Sequence, residues 1–163
     1  MAKPRTKDCP IVGFLEVFGD YWTWLIIREA FYGTTRFGDF QRNTGIAKNL
    51  LADRLDRLVD REILEKRDVG RHGTRFAYHL TSRGEALQTT LLAMYQWSNE
   101  HFYGPDRAPV ELRELASGKP LAHLAVRDAE GRPLTRRDLI AVPGPGASKA
   151  TKRRLAIFQP PAD

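Results

Sequence analysis

Residues 36–80, RFGDFQRNTGIAKNLLADRLDRLVDREILEKRDVGRHGTRFAYHL, constrain the fold more than any other stretch of the chain. A short helical pattern leads to a turn at Thr44-Gly45 and then to a longer amphipathic helix. Two strand patterns around a basic, glycine-containing tip follow at once. The order helix, turn, helix, two-stranded wing sets a rigid helix on the surface beside a charged flap. That arrangement suits the reading of a DNA groove.

Ile46, Leu51, Leu55 and Leu58 define the buried stripe of a helix over 47–61, and Leu50 and Val59 widen it. The opposite side is expected to carry Lys48, Asn49, Asp53, Arg54 and Arg57. A shorter helix over 37–43 turns Phe37 and Phe40 inward. Upstream, Asp8-Cys9-Pro10 reads as a helix start with Asp8 as N-cap. Ile11, Phe14, Leu15 and Phe18 form its apolar stripe. A second helix starts at Trp22, places Trp22, Leu25, Ile26 and Ala30 on a common side, and closes at Gly33. Residues 63–67 and 75–80 are the expected wing strands, with Phe76, Tyr78 and Leu80 facing inward. Ser82 and Glu85 read as a capping box that opens a fifth helix reaching about residue 103. Leu87, Leu91, Met94 and Trp97 line one side of it, and so long an apolar side implies a partner surface.

After Gly104 the composition shifts. Residues 121–126 and 133–139 bracket Ala129-Glu130-Gly131 and predict a β-hairpin. Pro143-Gly144-Pro145-Gly146 excludes regular structure, and the basic run 149–154 is expected to be a solvated tail. The expected organisation is therefore a winged helix-turn-helix domain for DNA binding and dimerisation at 8–103, followed by an extension at 104–163. The fold class is mainly α with a small β wing.

Of the 163 residues, 42% are hydrophobic, enough for a packed core. The net charge of +6 favours polyanionic partners, nucleic acid first among them, although ribosome-associated and membrane-surface proteins share such a charge. A single cysteine excludes an intrachain disulfide and a cysteine zinc cluster, and fits a reducing cytosol. No apolar run reaches transmembrane length and MAKPRTKDCP lacks an apolar signal core. A cytoplasmic, nucleoid-associated protein without a membrane partner is expected.

Arginine bonds a guanine edge bidentately, asparagine does so with adenine, and both bond phosphate. Lys48, Asn49, Arg54 and Arg57 thus fit a groove-reading helix. Asp53 and Asp56 support the competing reading of an ordinary solvated face; the wing directly downstream supports DNA. At the wing tip, Arg71, His72 and Arg75 are placed for a minor groove or its phosphates, or for a hairpin that stays in water. Arg36, with Thr35, stands at a helix N-terminus suited to an anion. Cys9 lies at a helix start near Lys7, and both features stabilise a thiolate, while Asp8 opposes it; a small buried hydrophobe is the alternative. The four histidines show no metal-ligand spacing, and no catalytic set or phosphate loop stands out. Neither a metal, a cofactor nor enzymatic activity is expected. The aromatic residues Tyr21, Trp22, Trp24, Phe31, Tyr95 and Trp97 suit core or dimer contacts, with a small aromatic ligand between helices as the weaker alternative.

The ordered series Cys9-Pro10, Gly19-Asp20-Tyr21-Trp22-Thr23, Leu25-Ile26-Ile27-Arg28-Glu29 and Arg36-Phe37-Gly38-Asp39-Phe40 resembles the HxlR-type winged helix-turn-helix regulators of bacteria, relatives of the MarR group. Gly45-Ile46, Leu51, Arg54-Leu55, Leu58, Ile63-Leu64-Glu65, Tyr78-His79-Leu80-Thr81 and Gly84 continue the match, which covers residues 8–103. The resemblance implies a homodimer that grips double-stranded operator DNA with two recognition helices. It also implies dimer contacts from the first and fifth helices, through Ile11, Phe14, Leu15, Leu87, Leu91, Met94 and Trp97. In some members the cysteine at the position of Cys9 senses oxidants or electrophiles, so an oxidant or small-molecule effector is implied as a partner. Ala47 stands where the family usually has serine, which removes an N-cap hydroxyl from the recognition helix. A winged-helix protein-interaction module that does not read DNA is the alternative function.

Overall fold

A computed structural model of the chain describes residues 8–70, 75–104 and 106–157. Helix α1 (Pro10–Phe18) comes first, followed by α2 (Tyr21–Phe31), α3 (Phe37–Thr44) and α4 (Lys48–Asp60). The strands β1 (Leu64–Asp68) and β2 (Phe76–Leu80) precede α5 (Ser82–Glu85), α6 (Gln88–Ser98) and a π-helical turn at Asn99–Tyr103. A 3-10 turn at Arg136–Asp138 and α7 (Lys149–Ala156) complete the described elements. They group into two compact units, Val17–Leu121 and, separately, Met1–Glu16 with Ala122–Asp163. These bounds differ from the expected division at residue 104, because α7 engages the N-terminal segment.

In the larger unit, Ile46, Leu51, Leu55 and Leu58 are buried as their spacing predicts, together with Ile26, Ile27, Phe40 and Leu64. Each such side chain contributes about 1.5–3 kcal/mol on leaving water. The inward side of α2 is Thr23, Ile26, Ile27 and Glu29; Trp22, Leu25 and Ala30, expected there, are half-buried at its margin. Phe40 meets Tyr78 edge-on, with ring centroids 6.4 Å apart, and joins α3 to the wing. The wing strands are antiparallel, with Leu64 opposite Leu80 and Lys66 opposite Tyr78. The expected alternation breaks at Phe76, which is 41% exposed, whereas Ala77 is buried. Phe76 is paired with Asp68 at the turn end of the hairpin, under the Lys66 ammonium 4.3 Å from its ring. Ala77 is covered because Arg36 bridges to it and the Tyr78 N–H donates to Thr35 O at 2.8 Å.

The fifth helix is divided rather than continuous: Ala86 and Leu87 separate α5 from α6. Its N-cap is Thr81, not Ser82. Thr81 leaves the strand with extended backbone, and its hydroxyl accepts the Gly84 N–H at 3.1 Å. Gly84 is required by close approach, since a Cβ there would lie 2.2 Å from Ile63 O and 3.0 Å from Leu80 Cδ2.

In the smaller unit, the Asp8 carboxylate is not the cap of α1. It accepts the Ser148 N–H at 2.9 Å, and the Ser148 hydroxyl in turn accepts the Thr151 N–H at 3.1 Å. Residues 149–154, expected to be a solvated tail, are therefore helical. A serine N-cap and a run of alanine, leucine, lysine and arginine, all strong helix formers, outweigh the charge. The predicted hairpin forms its turn, with Asp128 N donating to Arg132 O at 3.0 Å and Leu134 N to Val126 O at 2.8 Å. The ladder stops at the single bridge Arg127–Pro133, because Pro133 has no N–H to donate.

Candidate nucleic-acid interface

Helix α4 starts without a side-chain cap: Ala47 is extended and offers no acceptor. Its first-turn N–H groups are open, and the positive end of the helix dipole faces outward beside Lys48 and Asn49, both exposed. The turn that presents this end rests on Gly45, whose φ of 72° is left-handed. Arg57, one turn before the helix end, is also exposed.

Arg54 does not share that free face. Its Nε donates to both Asp20 carboxylate oxygens at 3.1 and 3.2 Å, a guanidinium N–H reaches Asp53, and the side chain is 17% exposed. Asp20 is at the same time the N-cap of α2, accepting the Thr23 N–H at 3.1 Å and its hydroxyl at 2.7 Å. Burial pushes the Asp20 carboxyl up, but the bonds from Thr23 and Arg54 prevail and hold it below the ordinary aspartate value. Arg54 thus fastens α4 to the start of α2. The signal was present in the sequence: Arg54 lies three residues after Leu51 and four before Leu58, on the margin of the buried stripe.

A second fastening went unread. The Glu29 carboxylate accepts Arg28 at 2.8 Å, Asn43 at 2.8 Å and Thr34 at 3.2 Å. Burial raises its pKa, yet Asn43, Arg28 and Thr34 together bring it below the usual glutamate value. This cluster fixes α3, through Asn43, against the end of α2, and so fixes the helix-turn-helix angle. Glu29 is spaced three residues from Ile26 on the apolar side of α2, which is the trace it leaves in the sequence.

Arg36 is exposed at the N-cap of α3, with no side-chain cap bond. At the wing, Asp68 Oδ1 accepts the N–H groups of Gly70 at 2.9 Å and Arg75 at 3.2 Å, which lowers the Asp68 pKa. The Arg75 side chain is exposed; Arg71 and His72 lie outside the described residues. The Lys48, Asn49, Arg57 and Arg36 side chains are brought to the surface of the larger unit, as is Arg75.

Of the expected dimer residues, Ile11 and Leu15 on α1 are 66% and 53% exposed, and Met94 and Trp97 on α6 are exposed too. Phe14 is half-buried. Leu87 and Leu91 are buried within the protomer and belong to its core instead. On α6 itself the first turn packs inward at Leu91, whereas Met94 and Trp97 further along are exposed. Trp97 meets His101 and Phe102 edge-on, at 4.7 and 5.0 Å, and gives the exposed part an aromatic end.

Cys9 is free and half-buried. The N–H groups of Val12 and Ile11 point at its sulfur and lower its pKa; the Arg154 charge adds to this and the Asp8 charge opposes it. An open cleft at the root of the wing is lined by Val59, Glu62, Leu64, Glu65, Lys66, Thr81, Ser82 and Arg83, so its walls are charged rather than aromatic. Among the described residues no group of three or more His, Cys, Asp or Glu is arranged to hold a metal, and no single helix is long and apolar enough to cross a membrane.

A family model described as HxlR-like helix-turn-helix matches residues 17–105. The chain belongs to the HxlR-like helix-turn-helix family. Among its relatives is MT3179 of Mycobacterium tuberculosis (strain CDC 1551 / Oshkosh), an uncharacterised HTH-type transcriptional regulator. It is 34% identical over 132 residues, which cover 81% of this chain and 84% of that protein. A match of that length cannot fit within residues 1–105, so it takes in part of the extension. The crystal structure of PA1607, described as a candidate transcription factor, superposes with a TM-score of 0.77 and 41% identity, covering 84% of this chain and 96% of that one. The reduced form of the transcriptional regulator YodB from Bacillus subtilis gives a TM-score of 0.52 and 29% identity, over 60% of this chain and 98% of that one. The helix-rich body and two-stranded wing are therefore those of an HxlR-type regulator.

Proposed function

We propose that this HxlR-type transcriptional regulator binds operator DNA as a homodimer in the cytoplasm, with one α4 from each protomer in successive major grooves. The observation that carries the reading is the α4 N-terminus. It is uncapped and exposed, flanked by Lys48 and Asn49, on a helix whose Leu51, Leu55 and Leu58 are buried in the core. Open N–H groups and the dipole favour a phosphate at this end. Asn49 and Arg57 supply the base-edge donors, and Arg36 and Arg75 supply phosphate contacts beside them. Dimerisation uses the exposed apolar residues of α1 and of α6 with its aromatic end, whose burial a two-fold partner would provide. Two protomers then present their helices about 34 Å apart, one DNA turn.

The effector is an oxidant or electrophile acting at Cys9. Its sulfur sits at a helix N-terminus that favours the thiolate, and YodB, a relative, is known in a reduced form. Footprinting on selected genomic fragments is expected to protect a two-fold symmetric site whose half-sites are about one helical turn apart. Oxidant is expected to release the wild-type protein but not Cys9→Ser. Protection without symmetry contradicts the dimer, and an oxidant response that survives in Cys9→Ser contradicts the sensor. Failure to bind any duplex would favour the protein-interaction module instead.

A further inference from the structure

Resting on the reading of the chain as a DNA-binding regulator, we propose that α7 is a second DNA-contacting element, a cationic helix face that takes the phosphate backbone. Its eight residues, KATKRRLA, hold four cations and no acid. Lys149, Lys152 and Arg153 stand at i, i+3 and i+4 and share one face; all three are exposed. Thr151, which is buried, and Leu155, which is half-buried, define the opposite side. The helix is held from behind, through the Asp8 carboxylate on the Ser148 N–H and the Ser148 hydroxyl on Thr151.

Among the described residues the three cations have no counter-ion. Some basic groups elsewhere are offset, Arg54 by Asp20 and Asp53, Arg67 by Glu65 and Arg132 by Asp128; what sets α7 apart is that its cations crowd one short helix with no acid in it. None of Lys149, Lys152 and Arg153 forms an ion pair among the described residues. Like charges at this spacing repel and weaken a helix. Lys149 in the first turn also opposes the dipole, which favours cations only at the far end. A face of this kind is stabilised by a polyanion, and a row of phosphates supplies one. An anionic membrane surface is the other polyanion, but insertion there requires a broad outward apolar face. The one leucine of α7 faces inward, and Ile157 beyond it is a single exposed side chain.

The test compares wild type with K149A/K152A/R153A on one operator duplex over a salt series. Alanine preserves helix propensity, and matched circular dichroism checks the fold; K149Q/K152Q/R153Q serves as a second variant. Each phosphate contact adds about 0.9 to the slope of log affinity on log salt. With three of these cations in each of two protomers, the slope is expected to be shallower by up to about 5 in both variants, with the preference for operator over scrambled duplex unchanged. Operator binding with an unchanged slope overturns the role of α7 and leaves the proposed function standing. A wild-type chain that binds no duplex overturns both. Binding to phosphatidylserine vesicles that the variants lose, with the DNA slope intact, assigns α7 to a membrane surface and also overturns the proposal.

Discussion

Arg54 and Arg57 are three residues apart on one helix and have different work. Arg57 faces solvent, whereas Arg54 is mostly buried and bonded through Nε to the N-cap of α2. Arg54→Ala leaves the half-buried Asp20 carboxylate without its main cation. It is expected to lower stability by about 1–3 kcal/mol, seen as a melting temperature several degrees lower; an unchanged melting temperature would return Arg54 to the DNA-facing set. Charge alone could not separate the two arginines, because what distinguishes them is Asp20, thirty-four residues earlier in the chain. Leu51, Leu55 and Leu58 were legible for the opposite reason: their spacing is a local property that the helix converts directly into one buried stripe. Glu29 was not legible, since its partners Thr34 and Asn43 reach it only once the turn between α2 and α3 has formed.

At the scale of elements, the wing was legible in order and position, and in register wherever alternation and burial agree. Phe76 departs from the alternation because it sits at the turn end of the hairpin, farthest along the ladder from the buried Leu64. The fifth helix kept its length of apolar residues but not its continuity, and burial divides them: Leu87 and Leu91 belong to the core, while Met94 and Trp97 are exposed. Helix α7 was hidden by its charge; only the Ser148 cap and the Asp8 bond reveal why it folds. That bond makes a pH prediction. The Ser148 N–H, helped by the Thr151 and Ser148 side chains, lowers the Asp8 carboxyl from the ordinary 3.8 to about 2. A carboxyl depressed on folding stabilises above its unfolded pKa, and the contribution disappears as pH falls through the folded one. The Asp8 tie is therefore complete at neutral pH and is lost between about pH 4 and pH 2. The Ser148 amide resonance is expected to titrate with a midpoint of about 2; a midpoint at the ordinary 3.8 would show that the bond does not form in solution.

For the whole molecule, family membership shows in an ordered set of residues that runs from α2 to α5 of the larger unit, and the sequence carries that set openly. The proposed dimer is less legible, because a two-fold interface would be written in residues that merely appear exposed in one chain. Its value to the proposed function is geometric: a single α4 would read too few base pairs for a unique site, and pairing would double the number read and fix their spacing. The most direct test of α4 in the major groove is methylation interference at guanine N7, an atom that lies in that groove. Methylation within each half-site is expected to abolish binding by the wild-type protein, and Arg57→Ala is expected to lose sensitivity at one guanine per half-site. Binding indifferent to N7 methylation throughout the protected site would place α4 elsewhere and contradict the reading.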